Sequence, residues 1–166
     1  MLTIKLISMN YKNVLRFNVP FLLLCVFLSC GQYQKVKKED VIKSFFEDVF
    51  VSDKPLDEIS ELYRDQIDKE ESGEMFINHI RFLKSEKEHL TKEVKNIKVE
   101  SYRTSTLDDL WLFEKKEQKN IYVVSLNDKI ESYVLLNKAK IVSFVYFRKG
   151  SDNPAYFIPY YQKLGK

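Results

Sequence analysis

The chain has 166 residues, 45% hydrophobic and 14% aromatic, with 12 Phe and 10 Tyr, which is enough to fill a hydrophobic core. It carries 27 Lys+Arg against 24 Asp+Glu, but Lys5, Lys12 and Arg16 precede Cys30 and no acid precedes Glu39; removing those three leaves 24 against 24. That neutrality removes the net basic field that a nucleic-acid partner needs. Cys25 and Cys30 are the only cysteines, so the chain beyond Cys30 has no thiol for a disulfide, a thiolate metal site or cysteine catalysis.

The first element is a leader. Lys5, Lys12 and Arg16 stand ahead of the run Phe21-Leu-Leu-Leu-Cys-Val-Phe-Leu-Ser-Cys-Gly31. A basic n-region, an apolar h-region of about ten residues and a small residue before a cut make a secretory signal peptide. The apolar run is about half the length of a membrane-spanning helix. Phe27 does not fit the small residue that an ordinary secretory site has at position −3. Leu28-Ser29-Cys30 resembles the lipobox of a bacterial lipoprotein signal. The resemblance implies acylation of Cys30 and attachment to a membrane of the cell envelope through that lipid. Each buried methylene contributes about 0.8 kcal/mol, so several acyl chains hold where one does not. Gly31, rather than Asp, implies delivery to the outer membrane of a diderm bacterium. Residues 1–29 are then a signal peptide, 30–38 a tether and 39–166 a single domain.

The next elements have helical spacing. Val41, Phe45 and Val49 run beside Ile42, Phe46 and Phe50, predicting a helix over Glu39 to Val51. Ser52-Asp-Lys-Pro55 breaks it and starts a second, with Leu56, Ile59 and Leu62 as its buried row and Tyr63 beside them. Asp65 to Gly73 reads as a charged loop, and a third helix is predicted over Glu74 to Leu90, with Phe76, Ile80 and Leu83 on one face.

After Thr91 the period changes. Ile97 and Val99 alternate with polar residues, Leu110 to Glu114 reads as strand, and Asn120 to Leu126 is β-branched and apolar. Ser132 to Leu136, Lys140 to Arg148 and Ala155 to Tyr160 follow, separated by turns at Asn127-Asp-Lys129, Asn137-Lys-Ala139 and Lys149 to Pro154. Helices followed by a run of strands predict an α+β domain with an antiparallel meander.

The residues Val41-Ile-Lys-Ser-Phe-Phe-Glu-Asp-Val-Phe50, Tyr133-Val-Leu-Leu-Asn-Lys-Ala-Lys-Ile-Val-Ser-Phe144, Lys149-Gly150 and Tyr156-Phe-Ile158, in this order, resemble the nuclear transport factor 2-like family. The resemblance implies N-terminal helices packed on a curved antiparallel meander, a cone. An unrelated helix-plus-sheet lipoprotein fold fits the same pattern. Enzymes of the cone fold place Asp, His or Tyr inside the cone, and Tyr102, Tyr122 and Tyr133 are the residues here that could line such a pocket. Cone proteins also pair through the sheet. Both faces of Lys140 to Arg148 are apolar, so Val142, Phe144 and Tyr146 form a candidate interface for a homodimer or an envelope protein partner.

Signals for chemistry are weak. His79 and His89 lie too far apart to ligate a metal from one helix face, where the spacing is four. Asp108 and Asp109 are adjacent, so on a strand they point to opposite faces. No glycine-rich phosphate loop and no nucleophile elbow is present, so no metal, cofactor or catalytic residue is assigned. Two function classes follow. One is a lipid-anchored, non-catalytic binding or interaction module. The other is a small hydrolase or isomerase using the cone pocket.

Overall fold

The computed structural model describes residues 36–65, 70–107, 112–150 and 153–158. The leader, Cys30, the adjacent pair Asp108 and Asp109, and Tyr160 lie outside the described residues.

Helix α1 spans Lys38–Phe50 and buries Ile42, Phe45, Phe46, Val49 and Phe50, a stripe at the spacing of an amphipathic helix. Glu39 and Asp40 occupy its first turn, where the dipole favours acids. Helix α2 spans Leu56–Tyr63 and follows Pro55. Ile59 and Ser60 are its buried residues, with Leu56 and Tyr63 packed against the core. These four keep the i, i+3, i+4, i+7 stripe. Leu62 lies roughly 100° off it, which is why it is 46% exposed rather than in the predicted buried row. Helix α3 spans Glu70–Glu86, so the predicted loop over Asp65 to Gly73 is shorter than its charge suggested. Phe76, Ile80 and Leu83 are buried as their spacing required. A short helix, α4, spans Leu90–Glu93.

Strands β1 (Lys98–Ser101), β2 (Ile121–Leu126), β3 (Lys129–Asn137) and β4 (Lys140–Ser143) form an antiparallel sheet in the order β1-β2-β3-β4. Asn127 and Asp128 form the two-residue turn between β2 and β3 with φ of 50° and 60°. That turn needs positive φ at both positions, which Asn and Asp tolerate best after Gly. The chain is therefore α+β, as the order of its patterns predicted.

The predicted single strand from Lys140 to Arg148 is two strands. The Ser143 hydroxyl accepts from the Val145 N–H (3.2 Å) and donates to the Ile158 carbonyl (2.6 Å). A serine that bonds the backbone two residues on competes with the ladder. The chain bends at Phe144 and Val145, and β5 (Tyr146–Arg148) pairs instead with β6 (Ala155–Phe157). Of the predicted strand at Leu110 to Glu114, the described part makes one bridge, Phe113 to Ala155.

Two apolar clusters lie on opposite faces of the sheet. Tyr122, Val124 and Leu126 of β2 join the helix side, with Phe45, Phe46, Phe76, Ile80 and Phe144. Ile121 and Val123 join the other side, with Tyr102, Phe113, Tyr133 and Ala155. Every residue of β2 is buried, as in a strand covered on both faces. Among the described residues no helix is long and apolar enough to cross a membrane.

Candidate functional site

The three candidate pocket tyrosines do not converge. Tyr102 and Tyr133 meet edge to face at 6.0 Å on the second face. Tyr122 lies in the helix-side cluster, with the Lys38 ammonium 5.9 Å from its ring centroid. Burial, then the nearby Glu39 carboxylate, raises the Tyr122 hydroxyl above its ordinary value. The face holding Tyr102 and Tyr133 is filled by rings. Phe113 contacts Tyr102 at 5.4 Å and Tyr133 at 5.1 Å, and stacks on Phe157 at 4.8 Å. Tyr146 closes on Tyr133 at 5.2 Å. Rings at such separations are packed aromatic contacts.

The candidate interface is also divided. The bend after Ser143 turns Phe144 into the helix-side core, against Phe45 at 5.3 Å and Phe76 at 5.5 Å. Val142 is buried, and of the three only Tyr146 is exposed, at 42%. Val142, Phe144 and Tyr146 therefore do not share one face, because the strand assumed to carry them is broken.

Those same irregularities build a different site. Between β2 and β3 the register steps from Val124↔Ser132 to Ser125↔Ile130, so Glu131 is an inserted residue at a β-bulge. Bulges re-aim side chains and are common beside functional sites. Glu131 and Ser132 here line the same cleft, whose other walls come from Phe82, Leu83, Glu86 and Lys87 at the end of α3 and from Phe144, Val145 and Tyr146 at the β4–β5 bend. Its volume is about 190 Å³. A broader hollow over α4 is lined by Glu88, His89, Thr91, Lys92 and Glu93. It draws on the surface of one short helix and gathers no second element.

Glu131 is the chemical centre of the cleft. Its side chain is 2% exposed, and its Oε2 receives Lys87 Nζ at 3.0 Å and His89 Nε2 at 3.2 Å. Burial pushes its carboxyl up, but the hydrogen bond and charge of Lys87, joined by His89, outweigh that and hold it below the ordinary carboxylate value. It is thus an anion at neutral pH and a fixed acceptor. A general acid would need the opposite shift. The Ser132 hydroxyl is directed to the Tyr133 carbonyl at 3.4 Å, not to a base. One turn before Phe82, His79 packs edge-on against Phe144 at 6.2 Å, and burial lowers its imidazole below the ordinary value. Its Nδ1 is buried with no hydrogen-bond partner among the described residues. Among the described residues no group of three or more His, Cys, Asp or Glu side chains is arranged to hold a metal.

Sequence reasoning missed Glu131, because Lys87 lies 44 residues away and a bulge leaves no periodic trace. The one available signal is an acid between the apolar Ile130 and the run Tyr133-Val-Leu-Leu136, with only Ser132 beside it. Comparison with protein-family models, with curated proteins and with solved structures found no match.

Proposed function

We propose that this chain is a lipid-anchored module of the bacterial cell envelope, held by acyl chains on Cys30, whose domain binds a partner and carries out no reaction. The anchor is supported by the basic leader, the short apolar run and Leu28-Ser29-Cys30-Gly31. Gly31 supports the outer membrane of a diderm bacterium as its location. Three longer helices ahead of a four-stranded antiparallel sheet support the nuclear transport factor 2-like cone as the finer description of the fold.

The observation that carries the binding reading is the aromatic filling of both faces of the sheet. A cone enzyme works from an open pocket inside the cone, between sheet and helices. Here Phe45, Phe46, Phe76 and Phe144 fill that side with rings in contact, and Tyr102, Phe113, Tyr133, Tyr146 and Phe157 fill the other. Exposed Phe82, Phe147 and Tyr156 supply apolar surface for a partner instead.

Two measurements test this. Wild-type chain grown with an alkyne palmitate analogue should take up label and sediment with membranes, and Cys30→Ala should do neither. Label retained by Cys30→Ala overturns the anchor. A photo-crosslinking phenylalanine at Phe82, Phe147 or Tyr156 should give a discrete adduct in intact cells. No adduct at any of the three overturns the binding reading.

A further inference from the structure

We infer that the cleft between the end of α3 and the β4–β5 bend is the seat for one basic side chain, an arginine, from a protein partner. The inference rests on the binding-module reading above and specifies what that module recognises.

Size comes first. A cleft of about 190 Å³ falls below the roughly 300–1,000 Å³ of pockets that enclose drug-sized ligands. It suits a single side chain projecting from a larger body. The mouth points the same way. Phe82 and Tyr146 line the cleft and remain 55% and 42% exposed, so apolar contact continues beyond the cavity onto whatever carries the side chain.

The lining chooses among side chains. Leu83, Phe144 and Val145 are apolar, while Glu86, Glu131 and Lys87 are charged, an excess of one acid. An apolar side chain would dehydrate the exposed Glu86 carboxylate without giving it a hydrogen bond, which is unfavourable. An acidic one would add a third carboxylate beside a single lysine. A basic side chain matches both parts: its stem packs on apolar wall and its cationic head meets carboxylate. A carboxylate has about four acceptor sites, and Lys87 and His89 use two of them. Arginine fits better than lysine. Its planar fork bonds a carboxylate in two places and stacks on aromatic faces such as Phe82 and Tyr146.

The site is built at some structural cost. It needs an inserted residue in β3, a bend between β4 and β5, and an ionised carboxylate almost wholly out of water. All three converge at one opening.

The test uses the full chain in neutral detergent micelles, with acetyl-Gly-Arg-Gly-amide as the probe. Ring signals of Phe82 and Tyr146 are followed by nuclear magnetic resonance. Both should shift saturably at millimolar peptide. The norleucine and glutamate versions should shift them little, and the lysine version should bind more weakly than arginine. Glu131→Gln should weaken binding about tenfold, the loss of one charge-assisted contact. If Glu131→Gln does not fold, exposed Glu86→Gln supplies the charge readout and should weaken binding several-fold. Equal binding of norleucine, or unchanged affinity in whichever carboxylate variant folds, overturns the proposal. Guanidinium ion alone binding as tightly as the peptide also overturns it, since recognition would then lie with a small cation. A chain that is labelled at Cys30 and crosslinks at Phe147 but ignores the peptide loses the arginine seat and keeps the envelope reading.

Discussion

Glu131 has an ionised carboxylate with 2% of its side chain exposed, and Lys87, itself 26% exposed, is its main partner. Breaking such a pair from one side leaves a charge with nothing to neutralise it. Lys87→Met should therefore cost about 1–3 kcal/mol, and Lys87→Met with Glu131→Leu should recover most of that loss. Urea unfolding of the two single variants and the double reads the coupling directly. Two groups on this side of the domain also make stability depend on pH. Glu131 titrates below 4.5 in the folded state, so its contribution is complete above 4.5 and is lost as pH falls through that lower value. His79 titrates below 6.5 because burial disfavours its charged form, so the unfolded chain takes up the proton first and stability falls once pH drops under 6.5. Unfolding measured from about pH 8 down to about pH 3.5 should show both declines. His79→Phe should remove the upper one and Glu131→Gln the lower. A profile unchanged by either variant would show that these groups titrate alike in the folded and unfolded chain.

The joint between α1 and α2 illustrates how a short helix is held. Tyr63 Oη donates to Asp48 Oδ2 at 2.7 Å, the same oxygen that receives Lys54 Nζ at 2.6 Å. Burial, then the bond to Asp48, pushes the Tyr63 phenol well above its ordinary value. The ring itself packs on Phe45 at 5.4 Å. Tyr63→Phe keeps the ring contact and removes only the hydroxyl, so it should cost about 1 kcal/mol by urea unfolding. Lys54→Ala removes an exposed pair and should cost less than half of that; the reverse order would mean that the ion pair, not the phenol, fixes the joint. The buried faces of α1 and α3 were legible because large apolar residues recur at helical spacing over several turns. The β2–β3 turn was legible because Asn127 and Asp128 are residue types that accept positive φ. Helix α2 was misread at Leu62 because eight residues give too few repeats to separate an i+6 position from the true stripe. The β4–β5 bend was not legible because one hydroxyl, that of Ser143, overrides a run with strong strand propensity. The Glu131 site was hidden for a further reason: its parts come from α3, β3 and the bend, and only folding brings them together.

The two apolar clusters meet across a shared sheet, with β2 buried on both sides. Phe45 holds the helix side together, touching Phe46, Tyr63, Phe76 and Phe144. Phe113 does the same on the other side, touching Tyr102, Tyr133, Tyr146 and Phe157. The two rings have no ring neighbour in common among these contacts, so they are linked only indirectly, through the sheet and through the bend that joins Phe144 to Tyr146. If the second cluster were a separable flap, loosening Phe113 would melt β5 and β6 and leave the helices in place. If both clusters rest on one sheet, loosening either should weaken the whole. Phe45→Leu and Phe113→Leu should each cost roughly 1–2 kcal/mol, below the 5–15 kcal/mol margin of a typical domain, so both variants stay folded. In each, the helical far-ultraviolet signal and the aromatic near-ultraviolet signal should be lost at the same urea concentration. Because the sites share no partner, the double variant should show the sum of the single losses to within about 0.5 kcal/mol. A Phe113→Leu chain that loses its near-ultraviolet signal first would mean that the aromatic face is a separate layer, able to open without unfolding the helices. Tyr146 would open with it, since its ring lies within that layer at 5.2 Å from Tyr133. One wall of the Glu131 cleft would then be movable, and arginine binding would have to contribute the free energy that closes it.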